Sequence, residues 1–532
     1  MKKSLIRTMS ALVVAVMALT SCATGNQAPA DAGTTGGNGA DTTAPADGGG
    51  QAASDVRDEL IFLTGAFPVT LDPVMMNDHP SAQIRLMIFE TLVSLNPRTM
   101  ELEPGLAVSW DFEDAQTLNM ELRQGVYFSN GDPFTADDVS FTIERAIEST
   151  HTRSMFEMIE YVEIHDDHNI TLHLSEPFMP ILHTLSTGQL GIVNANVARE
   201  LGFDGFHENP VGTGRFIFDS QVLGDRTVVV RNENYWGELP HLRQITFRVI
   251  PEQPIRFIEV ETGNADIGFS ILPTDVQRAE ETDSVVLHRH LNFSYNYIGF
   301  NTASGPLADI RVRQAIAHAL QLQPIIDNAF AGTGMPGTGP LTTLHDMSIA
   351  TEPFEFDLDR SRELLAEAGF PDGLSLRFWT NAGNQARADV AQLVQSQLRQ
   401  VNIDVEVEII EWGTYLEATA AGEHDMFMLG WISQPDPHFG VDMLFHSRNV
   451  GAPGNRSFTV NAEIDRLIEE GKGELDPVRR AQIYADLQNA IREELPHIFL
   501  HFGEELIVTT PEVRGFFPAP TGSPWLWEVY FE

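Results

Sequence analysis

Apolar positions recur at two spacings along this chain, and the switches between them mark its elements. Thr135-Ala136-Asp137-Asp138 has the spacing of a capping box and is followed by Val139, Ile143, Ala146 and Ile147 on one face, which predicts a helix ending near Ile147. Asp357 is placed to cap a second helix carrying Leu358, Leu364, Leu365 and Ala368, closed by Gly369 with Pro371 beyond. Leu374 to Phe378 then alternates like a half-buried strand. A third helix, near Ala388 to Val401, leads into a second alternating run, Val405 to Ile409. From about 300 to 500 the pattern is therefore helix then strand, as in a sheet flanked by helices. Between about 87 and 205 the texture differs: Asn119 to Leu122, Val162 to Ile164 and Ile170 to Leu174 read as strands separated by turns such as Asn130-Gly131-Asp132-Pro133. That stretch is expected to form a smaller α+β unit within an α/β body.

Before Glu59 the pattern is of another kind. Lys2, Lys3 and Arg7 precede an apolar run, Ala11 to Leu19, too short to span a bilayer, so residues 1–21 read as a signal peptide. The run ends in Leu19-Thr20-Ser21-Cys22, which resembles the lipobox of bacterial lipoproteins, with Cys22 as the lipid-bearing residue. From Ala23 to Asp55 there is no Val, Ile, Leu, Met or aromatic residue, so 22–55 is expected to be a disordered tether between membrane and folded body.

Composition narrows the function. The 532 residues suffice for about three domain-sized units, and the single cysteine rules out a disulfide scaffold. With 33 basic against 75 acidic residues, the net charge of −42 opposes binding to phosphate backbones or anionic lipid surfaces. Only Lys2, Lys3 and Lys472 are lysines; loss of the signal peptide would leave Lys472 alone and a charge of −45. An acidic, arginine-biased surface of this kind fits a saline or alkaline exterior.

No catalytic signature is present: the chain lacks G-x-S-x-G, H-E-x-x-H and a P-loop, and a lipidated Cys22 is no nucleophile. His165, His168 and His173, with Asp166 and Asp167, have the residue types of a metal site but read better as a hairpin with a polar turn. The glycine-rich run Gly332 to Pro340 follows a helix and reads as a loop. Trp412 and Trp431 are more informative, since each follows a β-rich run and so belongs at a strand end, where open α/β sheets bind ligands. A tryptophan there offers a broad apolar wall with one N–H donor.

An ordered set of segments is similar to the family 5 extracellular solute-binding proteins, the peptide, nickel and opine receptors of bacterial ABC importers. It comprises Thr70-Leu71-Asp72-Pro73, Phe89-Glu90-Thr91-Leu92, Pro104 to Trp110, Leu122 to Val139, Gly212 to Phe216, Asn234-Tyr235-Trp236, Asp309 to Ala315 and Leu364 to Phe370. The resemblance implies a two-lobed periplasmic-binding-protein-like fold with an extra α+β domain inserted in the first lobe. Lobe I would be 56–86, 206–298 and 503–532, the inserted domain 87–205 and lobe II 299–502. It implies no enzyme activity, no cofactor and no protein metal site. The ligand expected is an oligopeptide or dipeptide, delivered to an ABC permease and ATPase by a monomer held outside the cytoplasmic membrane by its lipid alone. A nickel, metallophore or opine receptor, or a peptide-pheromone receptor, are the alternatives. By the family pattern Asn77, Asp78 and His79 contact ligand from one lobe, and Trp431, Ile432 and Ser433 from the other, with Trp412 as a pocket wall. The family's usual amine-binding aspartate is replaced by Gln434, so either Asp436 or Asp78 substitutes for it or the ligand lacks a free N-terminus.

Overall fold

The computed structural model describes residues 57–75, 78–451 and 454–532. The expected signal peptide, the tether, Cys22 and Asn77 lie outside the described residues.

One 11-stranded sheet organises the molecule. Two long strands, Val286–Phe300 and His497–Thr509, run antiparallel through its middle. On one side Met426–Ile432, Leu374–Asn381 and Ile403–Ile410 form a parallel trio; on the other, Ile267–Phe269, Glu59–Thr64 and Gln244–Val249 form a second. The antiparallel strands Arg226–Arg231 and Phe216–Val222 complete the far edge. The inner strands of both trios are largely buried, in keeping with their runs of Val, Ile, Leu and Phe, while Ile403–Ile410 alternates buried and exposed residues at the sheet edge.

Register shows where the trios meet. Ile432, the last residue of its strand, pairs with Ser294, and Phe269, the last of its own, lies opposite Ile507, with Ile271 N–H donating to Leu506 O just beyond. The carboxyl ends of both trios thus converge on the middle of the crossing strands. There the ladder breaks: Leu291 pairs with Glu504 and Tyr295 with Phe502, so Asn292, Phe293 and Ser294 oppose Gly503 alone. Asn292 Oδ1 accepts from Ser294 N–H at 3.0 Å and from its hydroxyl at 2.5 Å. A Cβ on Gly503 would stand 2.4 Å from Ser294 Oγ, so a larger residue there would displace the hydroxyl that Asn292 holds. A bulge on the two long strands that join the two trios is where they can bend.

Glu505 lies next to this bend, paired with His290. Burial pushes its carboxyl up to about 7, against the Ser270 hydroxyl, the Leu506 N–H and Arg256. A folded pKa above the unfolded value gives stability that is whole below pH ~4.5 and lost as pH rises through about 7. Glu505→Gln is therefore expected to raise the thermal midpoint by a few degrees at pH 8.5 and by less at pH 5; an equal shift at both pH values would refute this.

A four-stranded antiparallel sheet, in the order Ala107–Asp114, Thr117–Leu122, Asn169–Leu174, Ile159–Asp166, stands apart from the large one. Its core joins Leu118, Met120 and Leu172 to Val139, Ile143 and Ala146 of the helix Ala136–Glu148. That helix opens at the expected capping box, with Thr135 N–H donating to Asp138 Oδ2 at 2.9 Å. The expected hairpin forms too, and its histidines are engaged locally: His165 Nε2 meets Thr171 Oγ1 at 2.8 Å, and His173 Nε2 meets Glu163 at 3.0 Å while stacking on Tyr161. The glycine-rich run departs from its reading as a loop, because Met335–Pro336 adds a short strand to His497–Thr509. Gly334, at φ 77°, allows this: a Cβ there would lie 2.2 Å from His501 Nε2.

Candidate functional site

Where the two trios converge, each lobe contributes a distinct surface. In the first lobe Asp78 caps the helix His79–Ile88, its Oδ1 accepting from Ser81 N–H at 2.9 Å. The His79 ring stacks on Phe269, the terminal residue of a parallel strand, at 5.0 Å. Its other side meets the C-terminal segment at Gly522, where a Cβ would lie 2.7 Å from His79 Nε2.

In the second lobe each strand of the trio ends in a group suited to a ligand. After Ile403–Ile410, Glu411 caps the helix Trp412–Ala420, leaving the Trp412 side chain 45% exposed and stacked on Tyr415. Tyr415 is itself fixed by donating to Met428 O at 2.8 Å. On Met426–Ile432, Trp431 is half-buried and spends its one donor on Phe439 O at 3.1 Å, so it offers a ligand only its ring. Ile432 beside it is 82% exposed.

After Leu374–Asn381 comes a residue that sequence patterns did not single out. Arg387, in the first turn of the helix Gln385–Leu398, donates Nη1 to Asn381 Oδ1 at 2.8 Å and lies against Gly430. Its Nε is buried without a partner among the described residues. Burial holds its pKa below the usual guanidinium value, and the group stays cationic. Nothing in the linear pattern distinguishes this arginine; Asn381 and Gly430, on two different strands, give it its place.

The loop after Trp431 is tied down on every side but one. Ser433 N–H donates to Phe293 O at 3.0 Å, fastening the loop to the bulge. His345 Nε2 meets Gln434 O at 3.0 Å and Ser433 Oγ at 3.3 Å. Burial pushes this histidine down to about 4, so it is neutral at neutral pH. Gln434 Oε1, by contrast, is buried with no partner among the described residues. Asp436 is 1% exposed; Oδ1 accepts from Arg480 Nη2 and from His438 N–H, both at 2.9 Å, and Oδ2 faces His183 Nδ1 at 3.5 Å. Burial alone would raise its pKa, but Arg480 and His183 outweigh it and hold the carboxyl well below the usual range. The structure thus groups Trp412, Trp431, Ile432 and Gln434 around the strand ends, adds Arg387, and sets Asp436 in an ion pair behind them. A cavity of about 410 Å³ under Phe354 and Arg492 shares none of these residues.

Residues 101–452 match the family model of the bacterial extracellular solute-binding proteins, family 5, middle region. The chain belongs to this family. Members are extracytoplasmic solute-binding proteins of ABC importers, not enzymes, and this chain is one of them. It is 26% identical to heme-binding protein A of Haemophilus influenzae over 89% of this chain and 92% of that one. It is 27% identical to the glutathione-binding protein GsiB of Pectobacterium atrosepticum over 87% and 92% respectively. The structure of the periplasmic binding protein DppA from Helicobacter pylori, in complex with the peptide STSA, superposes with a TM-score of 0.73 at 27% identity, covering 89% of this chain and 98% of that one. The architecture is accordingly the two-lobed fold of periplasmic binding proteins. No helix among the described residues is long and apolar enough to cross a membrane.

Proposed function

We propose that the protein captures short peptides between its lobes and delivers them to an ABC permease and its ATPase. The observation that carries this reading is the pairing of two unsatisfied groups at one set of strand ends: Gln434 Oε1, a buried acceptor, and Arg387, a buried cation with a free N–H. Buried polar groups are nearly always paired in folded proteins, so an orphan acceptor and an orphan donor following two strands of one parallel trio suit a ligand with an amine and a carboxylate. Trp412, Trp431 and Ile432 supply apolar walls for side chains of varied size. Asp78 and His79, with Asn77, would contact the ligand from the first lobe. Ser433 and Asp436 would act through the loop, holding Gln434 in position. The peptide-bound relative and the glutathione-binding relative support this choice of ligand.

In the same reading Cys22 carries the lipid, 22–55 links it to the body, and the monomer works at the outer side of the cytoplasmic membrane. Lobe I then comprises 56–86, 206–298 and 503–532, with 87–205 inserted and 299–502 as lobe II; three separate cores, one on the small sheet and two at opposite ends of the large one, support that division. The alternative of a nickel or metallophore receptor draws on His165, His168 and His173, of which His165 and His173 are engaged across the small sheet.

Mass spectrometry of ligand carried through purification without unfolding tests the reading directly; peptides are expected, and recovery of only a chelate, sugar or opine would refute it. Gln434→Asp provides a second test. It restores a charge opposite the amine, so peptides with free N-termini should bind about tenfold tighter and N-acetylated peptides should not gain. Equal effects on both would remove Gln434 from the amine site.

A further inference from the structure

The helix His79–Ile88 has a ligand-facing end and a far end, and at ~1.5 Å per residue these stand about 14 Å apart. At the far end an open cleft of about 520 Å³ lies between Leu86, Arg215 and the indoles of Trp236, Trp525 and Trp527. None of its lining residues is among those at the strand ends described above, and nothing in the peptide reading uses it.

Glu90 lies at its base with its carboxylate occupied by the protein. Tyr235 Oη donates to it at 2.7 Å, Trp236 Nε1 at 2.8 Å and Thr213 Oγ1 at 2.9 Å. Arg215 is in the opposite condition. Its nearest carboxylate oxygen, on Glu90, is 3.9 Å away, beyond hydrogen-bond reach, and among the described residues no acceptor is bonded to any of its N–H groups. Its guanidinium instead lies over the rings of Tyr235 at 4.9 Å and Trp527 at 4.8 Å. Stacking occupies the faces of the planar group and leaves the N–H fork at its edge unused. The side chain is 29% open to solvent.

A planar cation held by aromatic faces, with its donors unspent and indole walls around it, is complementary to one kind of ligand. We propose that this cleft is a second binding site, for a small monocarboxylate with a flat apolar body, gripped by the Arg215 fork and stacked among the tryptophans. The neighbouring Glu90 charge makes a doubly charged anion such as phosphate a poor competitor, since repulsion between like charges grows with the charge of the ligand.

Calorimetry on the full-length protein with phenylacetate, and with phenylethanol as its neutral counterpart, tests this. Phenylacetate is expected to bind with 1:1 stoichiometry and about tenfold to a hundredfold more tightly than phenylethanol. Arg215→Gln should abolish that preference. Arg215→Lys, which keeps the charge but loses the planar fork, should retain part of it. Ser94→Phe, which puts a ring into the cleft from another of its lining residues, should remove binding of both probes. Trp431→Ala, at the interlobe site, should change neither affinity. No saturable binding of phenylacetate up to about 10 mM, a range that covers weak specific sites, would overturn the proposal. So would equal affinity for the two probes, or loss of binding in Trp431→Ala rather than in Arg215→Gln.

Discussion

Arg387→Gln is expected to weaken binding of a dipeptide with a free C-terminus by about a hundredfold and to leave binding of the C-terminal amide almost unchanged. A charge-assisted hydrogen bond contributes roughly 1.5–3 kcal/mol, and a bidentate one lies at the upper end. Arg387 is poised for such a bond: one N–H is fixed on Asn381 and Nε is buried without a partner. The guanidinium is therefore oriented before the ligand arrives, and little side-chain freedom remains to be lost on binding. A purely structural arginine predicts something different. The variant would then lower the unfolding midpoint and weaken free and amidated peptides alike. Titrating both peptides into wild type and variant separates the two cases, and equal losses would remove Arg387 from the ligand site.

The two halves of this site were not equally legible in the sequence. Trp412 and Trp431 could be placed at strand ends because the alternation before each is local and the switch to turn residues is visible. The same holds for helix starts: the Thr135–Asp138 box and Asp357, which accepts from Asp359 and Arg360 N–H, are satisfied within a single turn. Strand limits moved outward, so that Val405 to Ile409 became Ile403–Ile410, because pairing with Leu374–Asn381 extends beyond the alternating core. Groups defined by distant partners were not legible. Arg387 depends on two strands, and the bulge opposite Gly503 depends on a strand some two hundred residues away in the chain. Asp436 shows the cost of reading charge alone. It stands two residues beyond Gln434, but Arg480 on a later helix occupies its Oδ1, and Oδ2 faces His183 at 3.5 Å.

His183 and Asp436 also belong to a wider contact between the region of the small sheet and the helices that follow Trp431. Lys472, the only lysine after Lys3, bridges Glu176 at 3.0 Å and Glu469 at 2.7 Å, and its carbonyl accepts from Met179 N–H at 2.8 Å. Phe178 meets His438 edge-on close by. Both sides of the ligand loop are therefore held: Ser433 by the bulge, and Asp436 by the small domain. A loop so anchored keeps Gln434 Oε1 in place without the help of a ligand, which is what preorganised recognition requires.

A second anchor of the small domain carries the largest expected effect on stability. Asp72, from the Leu-Asp-Pro motif, is fully buried, and Arg145 of the helix Ala136–Glu148 grips it with two parallel hydrogen bonds, at 2.6 Å and 2.5 Å. The guanidinium also lies over Phe203 at 4.5 Å, so water does not replace a lost partner. Asp72→Ala should lower stability by about 3–5 kcal/mol, because it leaves the arginine charge buried and uncompensated. The pair Asp72→Leu with Arg145→Met should recover most of that loss, since replacing both charges by apolar groups of similar size removes the desolvation cost together with the attraction. Urea unfolding followed through the first transition measures both variants. Peptide affinity at low temperature should stay unchanged in each, because neither residue faces the strand ends. If Asp72→Ala unfolds at the wild-type midpoint, the ion pair is not what joins the small domain to the strands of the first lobe. If the double variant is as unstable as the single one, the loss comes from packing at this junction and not from a stranded charge.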